Sequence, residues 1–136
     1  MTRHWTPDEL MELARGFQLS AILTAAAELD VFTLLADASK TAEQLADALT
    51  TDLRATRILL DALAAAELLV KDGQVYSPVP GTAEVLTAGA PQNMLATVRH
   101  LGVCTRNWSQ LAMVVKTGRR AHRQAVAAPC ARAIRR

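Results

Sequence analysis

Side chains that could perform acid–base or binding chemistry are few in this sequence of 136 residues. His100 lies in a predicted helix and could act as a general base, but a general base needs an orienting carboxylate, and no acidic residue lies within 15 positions of it. A structural or exposed histidine is the simpler interpretation. Trp108 could stack on a small molecule, and Asn107 could hydrogen-bond to one. We favour the simpler interpretations, a core tryptophan that anchors the last helix and a solvated asparagine.

Nucleotide and metal sites have no recognisable signature here. No two of the six glycines form a GxG, so a phosphate-binding loop is not predicted. Cys104 and Cys130 form no CxxC, and we identify no His or Cys at metal-ligand spacing beside them, so we expect two unpaired thiols. We therefore predict no catalytic residue, no cofactor-binding residue and no metal ligand in this chain.

The composition favours helices, because 51% of the residues are hydrophobic and many of these are Ala and Leu. No apolar run reaches the roughly 18–20 residues of a membrane span. The N-terminal MTRHWTPDEL lacks the apolar region of a signal peptide, so we expect no membrane partner and a cytoplasmic location.

The charge is divided unevenly along the chain. All 13 acidic residues lie between Asp8 and Glu84, and residues 1–84 carry a net charge of −7, whereas residues 85–136 carry +9. Such a division can mark a nucleic-acid-binding arm. It can also mark a chain whose compensating half is missing.

The N-terminal third predicts a helical region. The run Thr6-Pro7-Asp8-Glu9 combines a cap, a proline at the first helical position and two acids near the positive end of the helix dipole. Apolar residues then recur at helical spacing, which predicts a helix over 7–29 that is either kinked at Gly16 or split into two. Residues 31–35 form an apolar connector.

The middle of the chain predicts a helix-turn-helix followed by a wing. Thr41 to Gln44 fits a capping box for a short helix, Thr50-Thr51 is the turn, and a second helix runs to about Glu67 with Thr51 or Asp52 as its cap. Two predicted strands, 68–70 and 74–76, then flank Asp72-Gly73 as a hairpin.

The last third predicts one helical turn at 82–86 and a long helical stretch from Pro91 to Gly118. Met94 and Met113 are core candidates in that stretch. The fold class is therefore mainly α: a winged-helix domain over 1–118, with a small β-hairpin wing and extra N- and C-terminal helices. Residues 119–136 form a basic, Ala/Arg-rich tail that we expect to be disordered or aberrant.

The second helix of the helix-turn-helix is poorly suited to reading DNA. It offers only Arg54 and Arg57 as cations, and Arg57 could pair with Asp61 at i, i+4. Most of its other residues are apolar, so both of its sides need cover. The pattern favours a protein partner and makes nucleic acid an unlikely one. A winged-helix, DNA-binding transcription regulator stays open as the alternative.

Three segments in order resemble a known family. They are GFQLSAILTAAAELDVFTLLA (16–36), TAEQLADALTTDLRATRILLDALAAAELLVKDGQVYSPVP (41–80) and NWSQLAMVVKTGR (107–119). Together they resemble the N-terminal dimerisation domain of the S-adenosylmethionine-dependent O-methyltransferases of the caffeic-acid and polyketide-tailoring group. The last segment is similar to that family's W-x-x-L-x-x-x-x-x-T-G pattern.

The resemblance implies a homodimer and a methyltransferase half that lines the acceptor pocket without being catalytic alone. In the family, S-adenosylmethionine binds a following Rossmann-like domain, so the resemblance implies no cofactor bound by this chain and an acceptor only with that domain. Only 18 residues follow Gly118, and they do not resemble the family's continuation, so we expect a truncated or frameshifted methyltransferase. The acceptor itself is not predicted.

The site residues that the resemblance implies fall into two sets. Asn107 and Trp108 are the candidates for lining the substrate pocket. The expected dimer interface consists of Leu10, Leu13, Phe17, Ile22, Met94, Leu101 and Leu111, with Trp108 beside them.

Overall fold

The computed structural model describes residues 2–122, and the part of the predicted tail from 123 to 136 lies outside the described residues. The described chain is mostly helical with a small antiparallel sheet, which confirms the predicted mainly-α fold. The elements are α1 (Pro7–Arg15), α2 (Phe17–Glu28), α3 (Val31–Ala36), β1 (Lys40–Thr41), α4 (Ala42–Leu49), α5 (Leu53–Ala65), β2 (Leu69–Asp72), β3 (Val75–Pro78), α6 (Pro80–Leu86), α7 (Leu95–Trp108) and α8 (Leu111–Thr117).

The N-terminal helical region is divided in two, which settles the choice that the sequence left open. Thr6 caps α1 through a complete capping box with Glu9, and Pro7 is the first helical residue. The hydrogen bonds to the backbone and hydroxyl of Thr6 lower the pKa of Glu9. Gly16 is the single residue between α1 and α2. Because it keeps right-handed helical backbone angles, the chain runs from α1 into α2 without a loop.

The stretch predicted as an apolar connector is a helix. Val31, Phe32 and Leu35 of α3 are fully buried, and a left-handed Asp30 turns the chain between α2 and α3. A run of only six residues is too short to show helical periodicity in the sequence, which is why the helix was missed.

The helix-turn-helix forms as predicted. Thr41 and Gln44 make the capping box of α4, and Thr50 ends this helix in the left-handed conformation. Asp52 caps α5, since its Oδ1 accepts a hydrogen bond from the backbone N–H of Ala55 at 2.8 Å. This helix ends at Ala65, two residues before the predicted Glu67, which has a positive φ.

The wing is larger than the predicted hairpin. The strands β2 and β3 pair antiparallel around Gly73, with Leu69 opposite Pro78 and Asp72 opposite Val75. The strand β1 adds to the other side of β3, giving the order β1-β3-β2. Because β1 has two residues, Lys40 and Thr41, its sequence shows no alternation that could have revealed it.

The core lies between α2, α3, α4, α5 and the sheet. Its buried residues are Ala26, Ala27, Val31, Phe32, Leu35, Ala42, Leu45, Leu60, Leu63, Leu69, Tyr76, Leu86, Leu95 and Val98. The hydroxyl of Tyr76 donates to Asp61 Oδ1 at 2.6 Å, and Lys71 Nζ lies 2.7 Å from the same oxygen, so the wing is tied to α5. Hydrogen bonds from Lys71 and then Tyr76 lower the pKa of Asp61.

The C-terminal helical stretch begins later than predicted and is divided. The first helix, α7, starts at Leu95 rather than at Pro91, and Ser109 and Gln110 separate it from α8. Gly118 ends α8 with φ of 67°, a left-handed conformation that glycine adopts without strain. The predicted helical turn at 82–86 is the helix α6.

Candidate interaction surface and adjoining groove

Two apolar surfaces lie on the outer helices. The first, which we call the N-terminal patch, consists of large side chains on α1 and the start of α2, and none of the residues of α1 is buried. Its members are Leu10, Met11, Leu13, Phe17 and Leu19, each at least 49% exposed. Because contiguous exposed apolar surface is uncommon on a monomer, this patch is a candidate interface.

The second surface follows α7 and α8 and is called here the α7–α8 stripe: Met94, Leu101, Cys104, Trp108, Leu111 and Val115. From Leu101 onward the spacing alternates between three and four residues, the repeat with which helices pack side by side. Trp108 is 69% exposed and Leu101 is 52% exposed. The helices are interrupted for two residues, because Ser109 keeps right-handed helical angles and Gln110, with φ of −92° and ψ of 4°, does not.

These exposures correct three predictions about the core. Trp108 is not a core tryptophan, because most of its surface is exposed. Met94 and Met113, predicted as core candidates, are 49% and 39% exposed. An amphipathic pattern in a sequence identifies an apolar face without showing whether the same chain covers it, which explains all three errors.

A groove of about 290 Å³ opens beside the stripe. Asn107, Trp108, Leu111 and Val114 line one part, and Arg120 and Ala121 line the other. The side-chain oxygen of Asn107 is buried and has no hydrogen-bond partner among the described residues. The groove thus brings together the two side chains predicted to line a substrate pocket.

The far wall of this groove is held in place by Gln110. Its side-chain oxygen accepts from the backbone N–H of His122 at 2.9 Å, and its side-chain nitrogen donates to the carbonyl oxygen of His122 at 3.0 Å. This pair of bonds, the Gln110 clasp, folds residues 119–122 back along α8. This contact was not predictable from local sequence patterns, because it depends on the left-handed turn at Gly118.

The helix α7 is fixed to α2 by close packing and by ion pairs. Gly102 lies so near α2 that a Cβ at this position would stand 3.2 Å from Thr24 Cβ. Arg106 Nη1 contacts Glu28 Oε1 at 2.6 Å, and Arg99 Nε donates to the carbonyl oxygen of Ala27 at 2.7 Å. The α7–α8 stripe is therefore carried on a rigidly attached helix.

Two cations, Arg57 of the helix-turn-helix and Lys71 of the wing, are paired with carboxylates, whereas Arg54 makes no ion pair with any described residue. Arg57 forms an ion pair with Glu43 of α4, which corrects the predicted i, i+4 pair with Asp61. Asp61 instead contacts Lys71, the lysine of the wing. Phosphate binding would have to break these pairs, so the geometry gives no support to the DNA-binding alternative.

A contact that sequence reasoning missed lies within the stripe. Cys104 Sγ and His100 Nε2 are 3.4 Å apart, one helical turn from each other on α7. The i, i+4 spacing of these two residues is visible in the sequence, but it matches neither CxxC nor another common metal motif. His100 is exposed, in agreement with the simpler interpretation of this residue.

Over residues 2–122, the structure contains no group of three or more His, Cys, Asp or Glu side chains that could hold a metal ion. None of the helices in this part of the chain is long and apolar enough to cross a membrane.

Comparison with known proteins identifies the fold. The family model described as the O-methyltransferase dimerisation domain matches residues 11–87, which run from α1 through α6. The chain belongs to the O-methyltransferase dimerisation-domain family. The match ends before α7, so the N-terminal patch lies largely inside it and the whole α7–α8 stripe lies outside it.

Curated relatives extend the likeness to methyltransferases. The N,N-dimethyltransferase OxyT of Streptomyces rimosus is 34% identical over 110 residues, which are 80% of this chain and 32% of that protein. Acetylserotonin O-methyltransferase of Rattus norvegicus is 34% identical over 120 residues, 86% of this chain and 28% of that enzyme. The chain therefore spans about a third of the length of these relatives.

Solved structures agree with this assignment. A structure of PigF with SAH matches 83% of this chain and 34% of its own at 27% identity, with a TM-score of 0.75. The human N-acetylserotonin methyltransferase in complex with SAM matches 88% of this chain and 37% of its own at 28% identity, with a TM-score of 0.73.

Six of the seven predicted interface residues are exposed, two of them inside the matched range and four outside it. Those are Leu10, Leu13, Phe17, Met94, Leu101 and Leu111. Ile22 differs from them, because it is partly buried and packs against the core of its own chain. Its role in an interface remains a prediction.

Proposed function

We propose that this chain is the self-association and acceptor-pocket part of an S-adenosylmethionine-dependent methyltransferase, and that it is not catalytic alone. The observation that carries the proposal is the N-terminal patch: in a member of a dimerisation-domain family, α1 buries none of its residues and presents large apolar side chains. A helix of this kind is stabilised by tertiary contacts rather than by its own propensity, so it needs a partner surface.

The proposed partner is a second copy of the chain. Leu10, Leu13 and Phe17 of the two copies form one centre of the interface, and Met94, Leu101 and Leu111 of the two copies form a second. Large apolar anchors surrounded by polar residues are typical of the energetic centre of an interface. Glu9, Glu12 and Arg15 provide such a polar rim on α1.

The groove beside the stripe is proposed to receive the methyl acceptor. Trp108 offers an aromatic face and Asn107 offers amide hydrogen bonds, while Leu111 and Val114 supply apolar walls. The groove is open on one side, so a further domain would have to complete the pocket and hold the methyl donor.

The acceptor atom is left open by the family name. One relative is an N,N-dimethyltransferase and another is an O-methyltransferase, so the proposal covers a small molecule with either an amine or a hydroxyl group. The cytoplasmic location expected from the sequence remains a prediction.

The experiment that tests the self-association is light scattering on a dilution series of the purified chain. We expect a dimer at twice the 14.6 kDa chain mass. Leu13→Lys should weaken the dimer by about tenfold or more, because it places a charge in the apolar centre. Val70→Lys is the matched control, since Val70 is 49% exposed but lies on β2 of the wing, and it should leave the dimer unchanged.

Two results would contradict the proposal. A chain that stays monomeric at micromolar concentration would remove the self-association. Heat released on titration with S-adenosylmethionine, followed by methyl transfer to any acceptor, would show that the chain is catalytic alone.

A further inference from the structure

The His100–Cys104 pair on α7 has the geometry of two ligands on one metal ion. Residues four apart on a helix project from the same face, and the two side chains meet at 3.4 Å between Nε2 and Sγ. In a tetrahedral zinc site, bonds of about 2.3 Å to sulfur and 2.0–2.1 Å to nitrogen place these two ligand atoms about 3.6 Å apart. The pair therefore stands close to the required separation with no change of helix geometry.

The chemistry of the pair selects the class of ion. A thiolate and an imidazole are ligands for Zn²⁺ and similar borderline-soft divalent ions, whereas Mg²⁺ and Ca²⁺ prefer oxygen. Two cations on the same helix, Arg99 and Arg106, are paired with Asp30 and Glu28, so carboxylates offset the positive charge nearest to the site.

The described residues supply only half of such a site. Among residues 2–122, no third His, Cys, Asp or Glu joins the pair in a ligand cluster. Zinc sites that stabilise structure use four protein ligands. A second molecule can supply the other two ligands.

The surroundings of the pair point to a second copy. Cys104 is a member of the α7–α8 stripe, between Leu101 and Trp108, which are both more than half exposed. Its three-and-four spacing is the repeat of helices that pack against each other, so two copies with facing stripes would bring their His100–Cys104 pairs together. A two-fold axis makes such a contact self-complementary.

We propose that His100 and Cys104 of two chains bind one borderline-soft divalent cation in an N₂S₂ site. Each thiol loses its proton on binding, and each imidazole binds in its neutral form. The inference rests on the proposed function only in requiring self-association.

Cobalt(II) is the probe, because thiolate coordination gives a charge-transfer band in the near ultraviolet. We expect this band on titration of the full chain, saturating at one ion for two chains. Since even outer-shell partners of a ligand change metal affinity by about 10–100-fold, Cys104→Ser and His100→Gln should each weaken binding at least that much. Cys130→Ser is the matched control and should bind cobalt as the parent chain does.

Separate outcomes test the metal site and the proposed function. A band that survives Cys104→Ser, or saturation at one ion for each chain, overturns the shared site. A chain that is dimeric in chelator but gives no cobalt–thiolate band also overturns it and leaves the proposed function intact. A chain that is monomeric with and without cobalt overturns both.

Discussion

The winged helix and the outer helices use the same kinds of local structure with opposite results. The region from α3 to β3 holds most of the core, including Phe32 and Leu60 at 0% exposure. The outer helices α1 and α8 bury none of their residues, although they are also apolar along one face. The first region owes its stability to its own contacts. The second keeps its apolar surface available for another molecule.

The largest expected effect is in the core of the winged helix. Leu60→Ala should lower the free energy of unfolding by about 2–5 kcal/mol, because it leaves a cavity in a fully buried site. Ile58→Ala, on the exposed side of the same helix, should cost about 0.5 kcal/mol or less. Urea denaturation of both variants measures the difference. Equal losses would show that α5 is covered on both sides in solution.

Glycine substitutions test how tightly the outer helix α7 packs against α2. Gly102→Ala should cost about 1–2 kcal/mol, because overpacking against Thr24 exceeds the gain in helix propensity. Gly81→Ala in α6 is the matched control, since a Cβ there meets nothing within 4 Å, and it should stabilise by about 0.4–1 kcal/mol. Thermal unfolding checks both signs. A neutral Gly102→Ala would show that α7 moves freely on α2.

The two capping boxes allow a direct test of coupling. Thr41→Ala should lower the free energy of global unfolding by about 1 kcal/mol, because α4 is part of the core. Thr6→Ala removes the same kind of cap from α1, which buries nothing, and should fray that helix without changing global unfolding of the monomer. Denaturation at low chain concentration, combined with hydrogen exchange, distinguishes these outcomes. A loss of equal size at Thr6 would mean that α1 folds with the core.

The smallest effect concerns pH. The pKa of Asp61 is lower in the folded chain, so its ionised form stabilises the fold above its unfolded pKa of about 3.9, and this contribution is lost as the pH falls through the folded value. Because the side chain is 46% exposed, solvent screening keeps the effect below about 1 kcal/mol. Asp61→Asn should therefore be less stable than the parent at pH 6 but not at pH 2. A difference that does not change with pH would assign the loss to packing.

Local features were predictable from the sequence, whereas long-range ones were not. The caps at Thr6, Thr41 and Asp52 were found because a cap depends on residues no more than three positions away. The strand β1 was missed because it exists only through pairing with β3, some 35 residues later. The ion pair of Arg57 with Glu43 also spans the turn between two helices, so the nearer Asp61 was the wrong choice.

At the candidate site, the sequence predicted which residues take part but not whether they are buried. Asn107 and Trp108 could be singled out from the sequence because residue types able to bind a small molecule are rare in this chain. Both of them line the groove in the structure. The burial of Trp108 was predicted wrongly, since helical spacing is the same for a face that packs inward and one that awaits a partner.

The Gln110 clasp has a consequence for how such a domain can be joined to different sequences. Of residue 122, Gln110 binds only the backbone N–H and carbonyl oxygen. The side chain of residue 122 therefore takes no part in these two hydrogen bonds. Any amino acid except proline, which lacks the N–H, can occupy the position without loss of either bond. The direction in which the polypeptide leaves α8 is therefore encoded by Gln110, upstream of the residue that it holds.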